Sequence, residues 1–288
     1  MTIKVLIDVS SLIYRAFYSL DPSNFKRPSD GLSNNAVYGI GTMTLSMLSN
    51  ISKKHSDIHP IACFDSRSCN IGRKTIESTY KANRKSCPEQ LIHQFPWVKE
   101  LFQSLDIPCI EVDGHEADDI IATFCKNSSE HTIIASPDKD MTQLVTENNI
   151  QLYNPKNKEF LTTEALTKKY GIQPTHFPLY QALIGDSVDN IKGIKGIGPK
   201  TAVKIIQNCD GSLEDLKASK TLSEKYVKLV LENIELITKN LSLVTLKTDL
   251  KIPSLQYQNF TFEKKHAFGN FLNKMEIKST VLWKYAKI

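Results

Sequence analysis

The chain has 288 residues, of which 41% are hydrophobic and 23% are charged. These values exclude a disordered chain and a small scaffold that needs disulfide bonds to fold. The six cysteines include no C-x-x-C pair, which argues against a zinc knuckle or a thiol redox motif and favours a reducing, cytoplasmic location. Asp8 interrupts the apolar N-terminal run, which argues against a signal peptide or a membrane span.

The net charge of +5 understates how basic the surface is expected to be. If many of the acids gather in one site, as argued below, the rest of the surface carries a large excess of lysine and arginine. Such a surface is typical of proteins that hold a phosphate backbone. An ordinary solvated basic surface is the alternative.

Five short runs rich in β-branched residues predict buried strands. They are residues 3–7 (IKVLI), 61–64 (IACF), 109–112 (CIEV), 132–135 (TIIA) and 150–153 (IQLY). Helical patterns separate most of them, so we predict an α/β fold with a mostly parallel central sheet flanked by helices. From about residue 160 the pattern turns helical, with the next strand at residues 243–246. We therefore expect a sheet domain over residues 1–160 and a helical C-terminal lobe over residues 161–288.

Residues 66–106 form a connection that is longer than a crossover between parallel strands needs, and they predict a lid or arch. The segment RKTIESTYKANRK lies within it, with basic residues near helical spacing and Tyr80 beside them. A basic helix with an aromatic side chain grips phosphate and stacks a base. A solvated surface helix is the alternative.

Acidic residues follow the predicted strands at the end where ligands collect in parallel sheets. Asp8 and Asp65 directly follow the first two runs, and Glu116 and Asp138 follow the third and fourth within a few residues. Four strands therefore deliver acids to one rim of the sheet.

Three acidic pairs have spacings that aim both members one way. Glu116 and Asp119 share one face if their segment opens a helix, with Asp118 at the edge of that face. Asp138 and Asp140 point the same way if the chain there is extended. The third pair is Asp186 and Asp189, which are again three residues apart. Each pair alone has an ordinary explanation as a helix start or a turn. Clustered carboxylates repel unless cations neutralise them, and oxygen ligands without His or Cys favour Mg²⁺ or Mn²⁺. Two such ions together support phosphodiester cleavage.

The glycine-rich segment IKGIKGIGPKTAVKII (residues 191–206) predicts a hairpin that feeds a helix N-terminus. Its candidate DNA-binding positions are Gly193, Gly196, Gly198, Lys200 and Thr201. Pro199 and the late lysine break the match to an ATP-binding loop. Backbone amides at such a hairpin bind a DNA phosphate without reading sequence, and a tight interhelical turn is the alternative.

Taken in order, these motifs resemble the flap endonuclease family, specifically the 5′→3′ exonuclease domain at the N-terminus of bacterial DNA polymerase I. The resemblance covers residues 3–249 and is carried by LIDVSSLIYRAF, ACFD, YKANR, GHEADDIIA, SPDKDMTQLV, LIGDSVDNIKGIKGIGPKTA and LVTLKTD. It implies a PIN-like 5′-nuclease fold with a helical arch, at about residues 66–106, and a helix-hairpin-helix at about residues 185–206.

The resemblance also implies roles for particular residues. It matches the metal-site carboxylates with Asp8, Asp65, Glu116, Asp118, Asp119, Asp138, Asp140, Asp186 and Asp189. Lys81 and Arg84 match arch residues that contact the scissile phosphate, and Arg73 matches a further arch arginine, so all three are implied in stabilising developing charge. The helix-hairpin-helix is implied to hold duplex DNA, and in this family K⁺ often bridges it to phosphate.

The implied activity is that of a structure-specific 5′-nuclease, a 5′→3′ exonuclease or flap endonuclease, that hydrolyses DNA in primer removal, replication and repair. We expect two Mg²⁺ or Mn²⁺ ions and a DNA substrate that is a 5′-flap, nicked or 5′-ended duplex. We also expect a monomer that does not bind membranes. A DNA polymerase is a partner that the resemblance allows. The alternatives are a PIN-like ribonuclease and a non-catalytic DNA-binding module.

Two departures from the family pattern qualify these expectations. Gly72 stands before Arg73 where the family usually has phenylalanine, and glycine loosens the start of a helix. The chain also has no proofreading or polymerase region, so a stand-alone nuclease and the N-terminal piece of a longer protein are both expected possibilities.

Overall fold

The central sheet has six strands and is almost entirely parallel. In the computed structural model, residues 2–69, 71–147, 149–209, 213–218, 222–253, 255 and 258–287 are described. The strands are β1 (Thr2–Asp8), β2 (Asp57–Phe64), β3 (Cys109–Glu111), β4 (His131–Ala135), β5 (Ile150–Asn154) and β6 (Glu159–Leu161), in the spatial order β3-β2-β1-β4-β5-β6. Only the β5–β6 pair is antiparallel. The predicted α/β sheet is confirmed, and the sequence missed only β6 because it is short and charged.

Helices cover both faces of this sheet and form a separate lobe. They are α1 (Val9–Ser19), α2 (Asn35–Ser52), α3 (Ile71–Ile76), α4 (Glu89–Ile92), α5 (Gln94–Ser104), α6 (Ala117–Lys126), α7 (Thr163–Tyr170), α8 (Phe177–Ile184), α9 (Pro199–Gln207), α10 (Leu213–Ala218), α11 (Glu224–Glu232), α12 (Ile234–Val244), α13 (His266–Lys274) and α14 (Thr280–Trp283). None of the described helices is both long and apolar enough to cross a membrane.

Alternating side chains of β1 build the two cores that sandwich the sheet. Val5 and Ile7 belong to the core shared with α1, α2 and α5, whereas Leu6 belongs to the core shared with α6. This alternation is the period of two that a strand buried on both faces requires. The carboxyl ends of β1, β2, β3 and β4 therefore meet at one edge.

The C-terminal part of the chain divides between two cores. Helices α8, α9, α11 and α12 share a third core, whereas Phe268 and Leu272 of α13 are fully buried in the first core with the sheet. The division at residue 160 stays a prediction. The predicted strand at residues 243–246 is wrong, because Leu243 and Val244 end α12 and a short apolar run does not distinguish a strand from a buried helix end.

The predicted arch differs from the expected basic helix. Helix α3 ends at Ile76, and residues 78–84 form successive turns in which Lys81 has a positive φ of 56°. The prediction of one helix over residues 73–85 is therefore wrong. Both Leu91 of α4 and several residues of α5 pack in the first core, and the bounds of the arch at about residues 66–106 stay a prediction.

Helix α8 is followed by a hairpin and then α9, which is the expected helix-hairpin-helix arrangement. The hairpin contains the antiparallel pair β7 (Gly185–Asp186) and β8 (Ile191–Lys192). The sequence missed both because they are two residues long. Gly185 ends α8 with a positive φ of 79°, a conformation that favours glycine.

Candidate active site

Asp8 lies at the centre of the rim, fully buried at the end of β1. Its Oδ1 accepts a hydrogen bond from the Ser11 amide at 3.0 Å, and its Oδ2 accepts one from Ser136 Oγ at 2.6 Å. Burial raises the pKa of Asp8 to about 6 despite these hydrogen bonds. The cause is desolvation, which disfavours the charged form of a buried carboxyl group.

Asp140 lies in a 3₁₀ turn over Lys139–Leu144, and Asp138 immediately precedes this turn with an extended backbone. Asp138 Oδ1 caps the turn by accepting the Asp140 amide at 2.9 Å. Burial and the neighbouring Asp138 raise the pKa of Asp140 to about 7. The backbone is thus extended at Asp138 only, and both residues line the same cleft.

Asp65 and Asp118 complete this side of the site. Asp65 Oδ1 accepts the Ala117 amide at 2.7 Å, at the start of α6, and Asp118 lies in the first turn of that helix. Burial and the nearby Asp8 and Asp138 raise the pKa of Asp118 well above its usual range.

The five acids of the rim have no ion-pair partner among the described residues. We call them the rim acids: Asp8, Asp65, Asp118, Asp138 and Asp140. No three acidic, histidine or cysteine side chains in the described ranges converge closely enough to enclose a metal ion as they stand. The rim acids are thus gathered without forming a finished coordination shell.

The other predicted acids are neutralised by basic side chains. Glu116 Oε2 pairs with Arg73 at 2.8 Å and its Oε1 pairs with Lys81. Asp189 Oδ1 lies 2.5 Å from Arg84 Nη2. The arch thus neutralises acids from both α6 and the hairpin.

Arg73 and Asp119 form a buried pair, and their predicted roles in the site stay predictions. Arg73 is 4% exposed, and its Nη2 lies 2.8 Å from Asp119 Oδ1. Arg73 Nε donates to the Leu243 carbonyl at 3.0 Å, and Asp119 Oδ1 also accepts the Lys247 amide at 3.0 Å. These contacts join α3, α6 and the end of α12. They leave Arg73 no exposed donor for a phosphate and give both carboxylate oxygens of Asp119 a partner.

Tyr80 also differs from its predicted role in stacking a base. Its side chain is 2% exposed and packs with Ile191, Leu243 and Val244. Its hydroxyl donates to Asp189 Oδ2 at 3.2 Å. A buried ring has no face to offer to a base, so the prediction is wrong for this structure.

An open cleft of about 340 Å³ lies between the rim and the hairpin. It is lined by Ser11, Arg84, Pro137, Asp138, Lys139, Asp140, Asp186, Val188 and Asp189. Arg84 is half-exposed there, whereas the Lys81 side chain is largely buried against Glu116. Residues of the sheet domain and of the hairpin therefore line the same cleft. That they form one metal site stays a prediction.

The predicted hairpin positions lie outside this cleft. Gly193 is packed against the end of α8, Gly196 has a positive φ of 91°, and Gly198 is the N-cap residue of α9. Lys200 is exposed and Thr201 is half-buried in the first turn of that helix. Their use in binding DNA stays a prediction.

Sequence reasoning missed three residues that contact site acids. Ser136 binds Asp8, Lys139 Nζ lies 2.8 Å from Asp186 Oδ2, and Gln181 contacts both Asp140 and Asp186. Ser136 and Lys139 stand inside the SPDKD motif and could have been found there. Gln181 carried no signal, because an isolated glutamine in an apolar helix has many ordinary uses.

Two family models match consecutive parts of the chain. One, described as 5′-3′ exonuclease, N-terminal resolvase-like domain, matches residues 4–171, and one described as 5′-3′ exonuclease, C-terminal SAM fold, matches residues 172–267. A 5′-3′ exonuclease of Aquifex aeolicus is 39% identical over 251 residues, which cover 86% of this chain and 82% of that protein. DNA polymerase I of Bacillus subtilis is 34% identical over 90% of this chain but only 30% of its own length.

Solved structures show the same fold at lower identity. The bacteriophage T5 D15 protein, co-crystallised with metal ions, has a TM-score of 0.66 and 23% identity over 84% of this chain and 89% of its own. The catalytic core of Rad2 in complex with DNA substrate has a TM-score of 0.61 and 16% identity over 98% of this chain and 89% of its own. Because the two family models match residues 4–171 and 172–267 of its 288 residues, this chain belongs to the 5′-3′ exonuclease family.

Proposed function

We propose that this protein is a structure-specific 5′-nuclease that hydrolyses DNA phosphodiester bonds with divalent metal ions. The observation that carries the proposal is the set of rim acids, which gather at one edge of the sheet without basic partners among the described residues. Two of them, Asp138 and Asp140, line the cleft. Family membership supports the same activity. The T5 and Rad2 neighbours were crystallised with metal ions and with DNA substrate, respectively, which is consistent with it.

The rim acids fit divalent cations by their chemistry. They supply oxygen donors without nitrogen or sulfur, the set that Mg²⁺ and Mn²⁺ prefer. The raised pKa values of Asp8 and Asp140 show that burial of these carboxylates is poorly compensated by the protein alone. We therefore assign metal binding to the rim acids, with Glu116, Asp186 and Asp189 joining them when their basic partners move. Bound there, such ions supply Lewis acidity for phosphodiester hydrolysis.

The remaining residues of the site bind and orient the substrate in this proposal. Arg84 lies half-exposed in the cleft and is placed to neutralise a phosphate. Lys81 would join it by exchanging Glu116 for the substrate, since an ammonium group pairs with either anion. Asp119 and Arg73 act by holding Glu116 and the arch in place.

The finer parts of the proposal concern the substrate and the partners. The exposed start of α9 would hold duplex DNA through its backbone amides and Lys200, with K⁺ as a further ion at the hairpin. A 5′-flap, nicked or 5′-ended duplex would then place its 5′ strand in the cleft. We expect a cytoplasmic monomer that acts with a DNA polymerase in primer removal, replication and repair.

The decisive experiment is cleavage of a double-flap DNA labelled at its 5′ end, with Mg²⁺ and with EDTA. We expect cleavage near the flap junction with Mg²⁺ only, and loss of cleavage in Asp138→Asn with DNA binding retained. Glu147→Gln, which changes an exposed acid outside the cleft, should cleave normally. Cleavage of RNA in preference to DNA would indicate a ribonuclease, and binding without cleavage would indicate a non-catalytic module.

A further inference from the structure

Gln181 of α8 bridges the two halves of the site. Its Nε2 donates to Asp140 Oδ1 at 2.6 Å and lies 3.4 Å from Asp186 Oδ2. Its side chain is 1% exposed. Asp140 belongs to the turn after β4 and Asp186 belongs to the hairpin, so one amide group contacts an acid from the sheet and an acid from the lobe.

The hydrogen bonding of Gln181 differs from that of a glutamine that only supports the fold. Its Oε1 is buried and has no hydrogen-bond partner in the described structure. Gln94, which is also fully buried, uses both ends: its Nε2 donates to Asn35 Oδ1 at 2.9 Å, and its Oε1 accepts the Ala36 amide at 2.8 Å. A buried carbonyl oxygen without a hydrogen bond lowers the stability of the folded state. Gln181 donates to the two carboxylates while its own Oε1 is left without a hydrogen bond in the described part of the chain.

The contact with Gln181 also determines which carboxylate oxygens of Asp140 and Asp186 remain without a hydrogen bond. Gln181 binds Oδ1 of Asp140 and leaves Oδ2 without a hydrogen bond among the described residues. Asp140 is one of the residues that line the cleft. Asp186 already receives Lys139 on Oδ2 and the Val188 amide on Oδ1. Two carboxylates brought together repel, and the shared N–H donors of Gln181 reduce that repulsion without adding a charge.

We infer that Gln181 is a positioning residue that fixes the separation of Asp140 and Asp186 and thereby sets the affinity of the site for divalent metal ions. This inference rests on the proposed nuclease function. Residues that orient metal ligands through hydrogen bonds commonly change metal affinity or activity by about 10- to 100-fold when they are replaced.

The test replaces Gln181 with methionine, which keeps the length and volume but removes the amide. We expect Gln181→Met to need about tenfold more Mg²⁺ for half-maximal cleavage, with the KM for DNA unchanged. In the DNA-free protein, a given Mg²⁺ concentration should raise the Tm less than in wild type, because stabilisation by a ligand depends on its concentration relative to its Kd.

Gln94→Met is the matched control, because it makes the same change at a buried glutamine of the first core. It should lower the Tm without changing the Mg²⁺ dependence of cleavage or of the Tm shift. If Gln181→Met does not fold, Gln181→Asn keeps the amide but shortens its reach and should shift the Mg²⁺ dependence in the same direction.

The outcomes separate this inference from the function on which it rests. Absence of Mg²⁺-dependent cleavage by the wild-type protein would overturn the proposed function. Wild-type cleavage together with an unchanged Mg²⁺ dependence in a folded Gln181 variant would overturn the positioning role alone.

Discussion

Individual carboxyl groups of the rim acids have raised pKa values, and no basic side chain among the described residues pairs with them. Asp8 and Asp140 have pKa values raised to about 6 and about 7, mainly by burial. Asp118 is shifted in the same direction by burial and by the surrounding acids. A nuclease site of this kind trades stability of the metal-free protein for a place where cations are strongly favoured.

The first prediction concerns the pH dependence of stability without metal. The folded chain retains protons on Asp8 and Asp140 that the unfolded chain releases as the pH rises from about 4 to about 7. The folded state binds more protons over this window, so the free energy of unfolding should fall as the pH rises through it. Urea denaturation in EDTA at a series of pH values measures this. A free energy of unfolding that rises across the window would contradict the assignment.

The second prediction concerns one rim acid. Asp118→Asn removes a charge that nearby acids destabilise, so it should raise the free energy of unfolding of the metal-free protein by on the order of 1 kcal/mol. The same change should abolish Mg²⁺-dependent cleavage, because a rim acid is lost. Denaturation in EDTA and cleavage of the labelled flap substrate give the two readouts. A variant that is less stable yet fully active would refute both expectations.

At the scale of elements, the arch turn is attached to the hairpin by several contacts. The Lys81 amide donates to the Asp189 carbonyl at 3.0 Å, and Asn83 Nδ2 donates to the Ser187 carbonyl at 2.6 Å. Asn190 Nδ2 returns a hydrogen bond to the Thr79 carbonyl at 2.8 Å. Because the hairpin also leads into α9, the same element connects the arch, the cleft and the proposed duplex-binding surface.

The third prediction tests the hairpin geometry. A Cβ at Gly193 would lie 2.1 Å from the Ile184 carbonyl oxygen, so Gly193→Ala must move the backbone. We expect a loss of about 2 kcal/mol or more in stability and weaker binding of nicked duplex DNA in EDTA. Fluorescence anisotropy and thermal unfolding measure these effects.

Gly198→Ala is the control for that change. A Cβ at Gly198 meets no atom within 4 Å, and its φ of −97° suits any residue. It should cost no more than about 1 kcal/mol as a change at the start of a helix. Equal losses in the two variants would show that close packing of Gly193 is not the cause.

The strands could be predicted from the local sequence pattern, whereas the conformation of the arch could not. Five strands were predictable because each contains a short run of mostly apolar residues, and the acids at their ends followed from connectivity. The arch was not, because its basic residues have helical spacing but are held in turns by partners more than a hundred residues away, such as Asp189. Spacing along the chain contains no information about such partners.

At the scale of the whole molecule, the C-terminal segment stabilises the sheet domain. Phe268, Leu272 and Met275 are fully buried in the first core. The Phe260 amide donates to the Ile58 carbonyl at 2.8 Å, on a part of β2 that β3 does not reach. The end of the described chain is therefore structurally part of the domain where the chain begins.

The fourth prediction follows from this packing. Phe268→Ala should cost about 3–5 kcal/mol, the usual effect of removing a buried ring. Val281→Ala, at a side chain that is 48% exposed, should change stability by no more than about 0.5 kcal/mol. Thermal or urea unfolding compares the two variants. A small effect of Phe268→Ala would mean that this segment does not contribute to the core in solution.

The sequence by itself determined the sheet, the acids at its rim and the glycine hairpin, because strand ends and tight turns follow from residues that are near one another in the chain. Only the tertiary structure decided which acids have cations beside them. In the folded chain Tyr80 is buried, Arg73 pairs with Asp119, and Gln181 contacts both Asp140 and Asp186. These choices depend on contacts between distant, irregular segments, where burial and charge pairing outweigh any local preference.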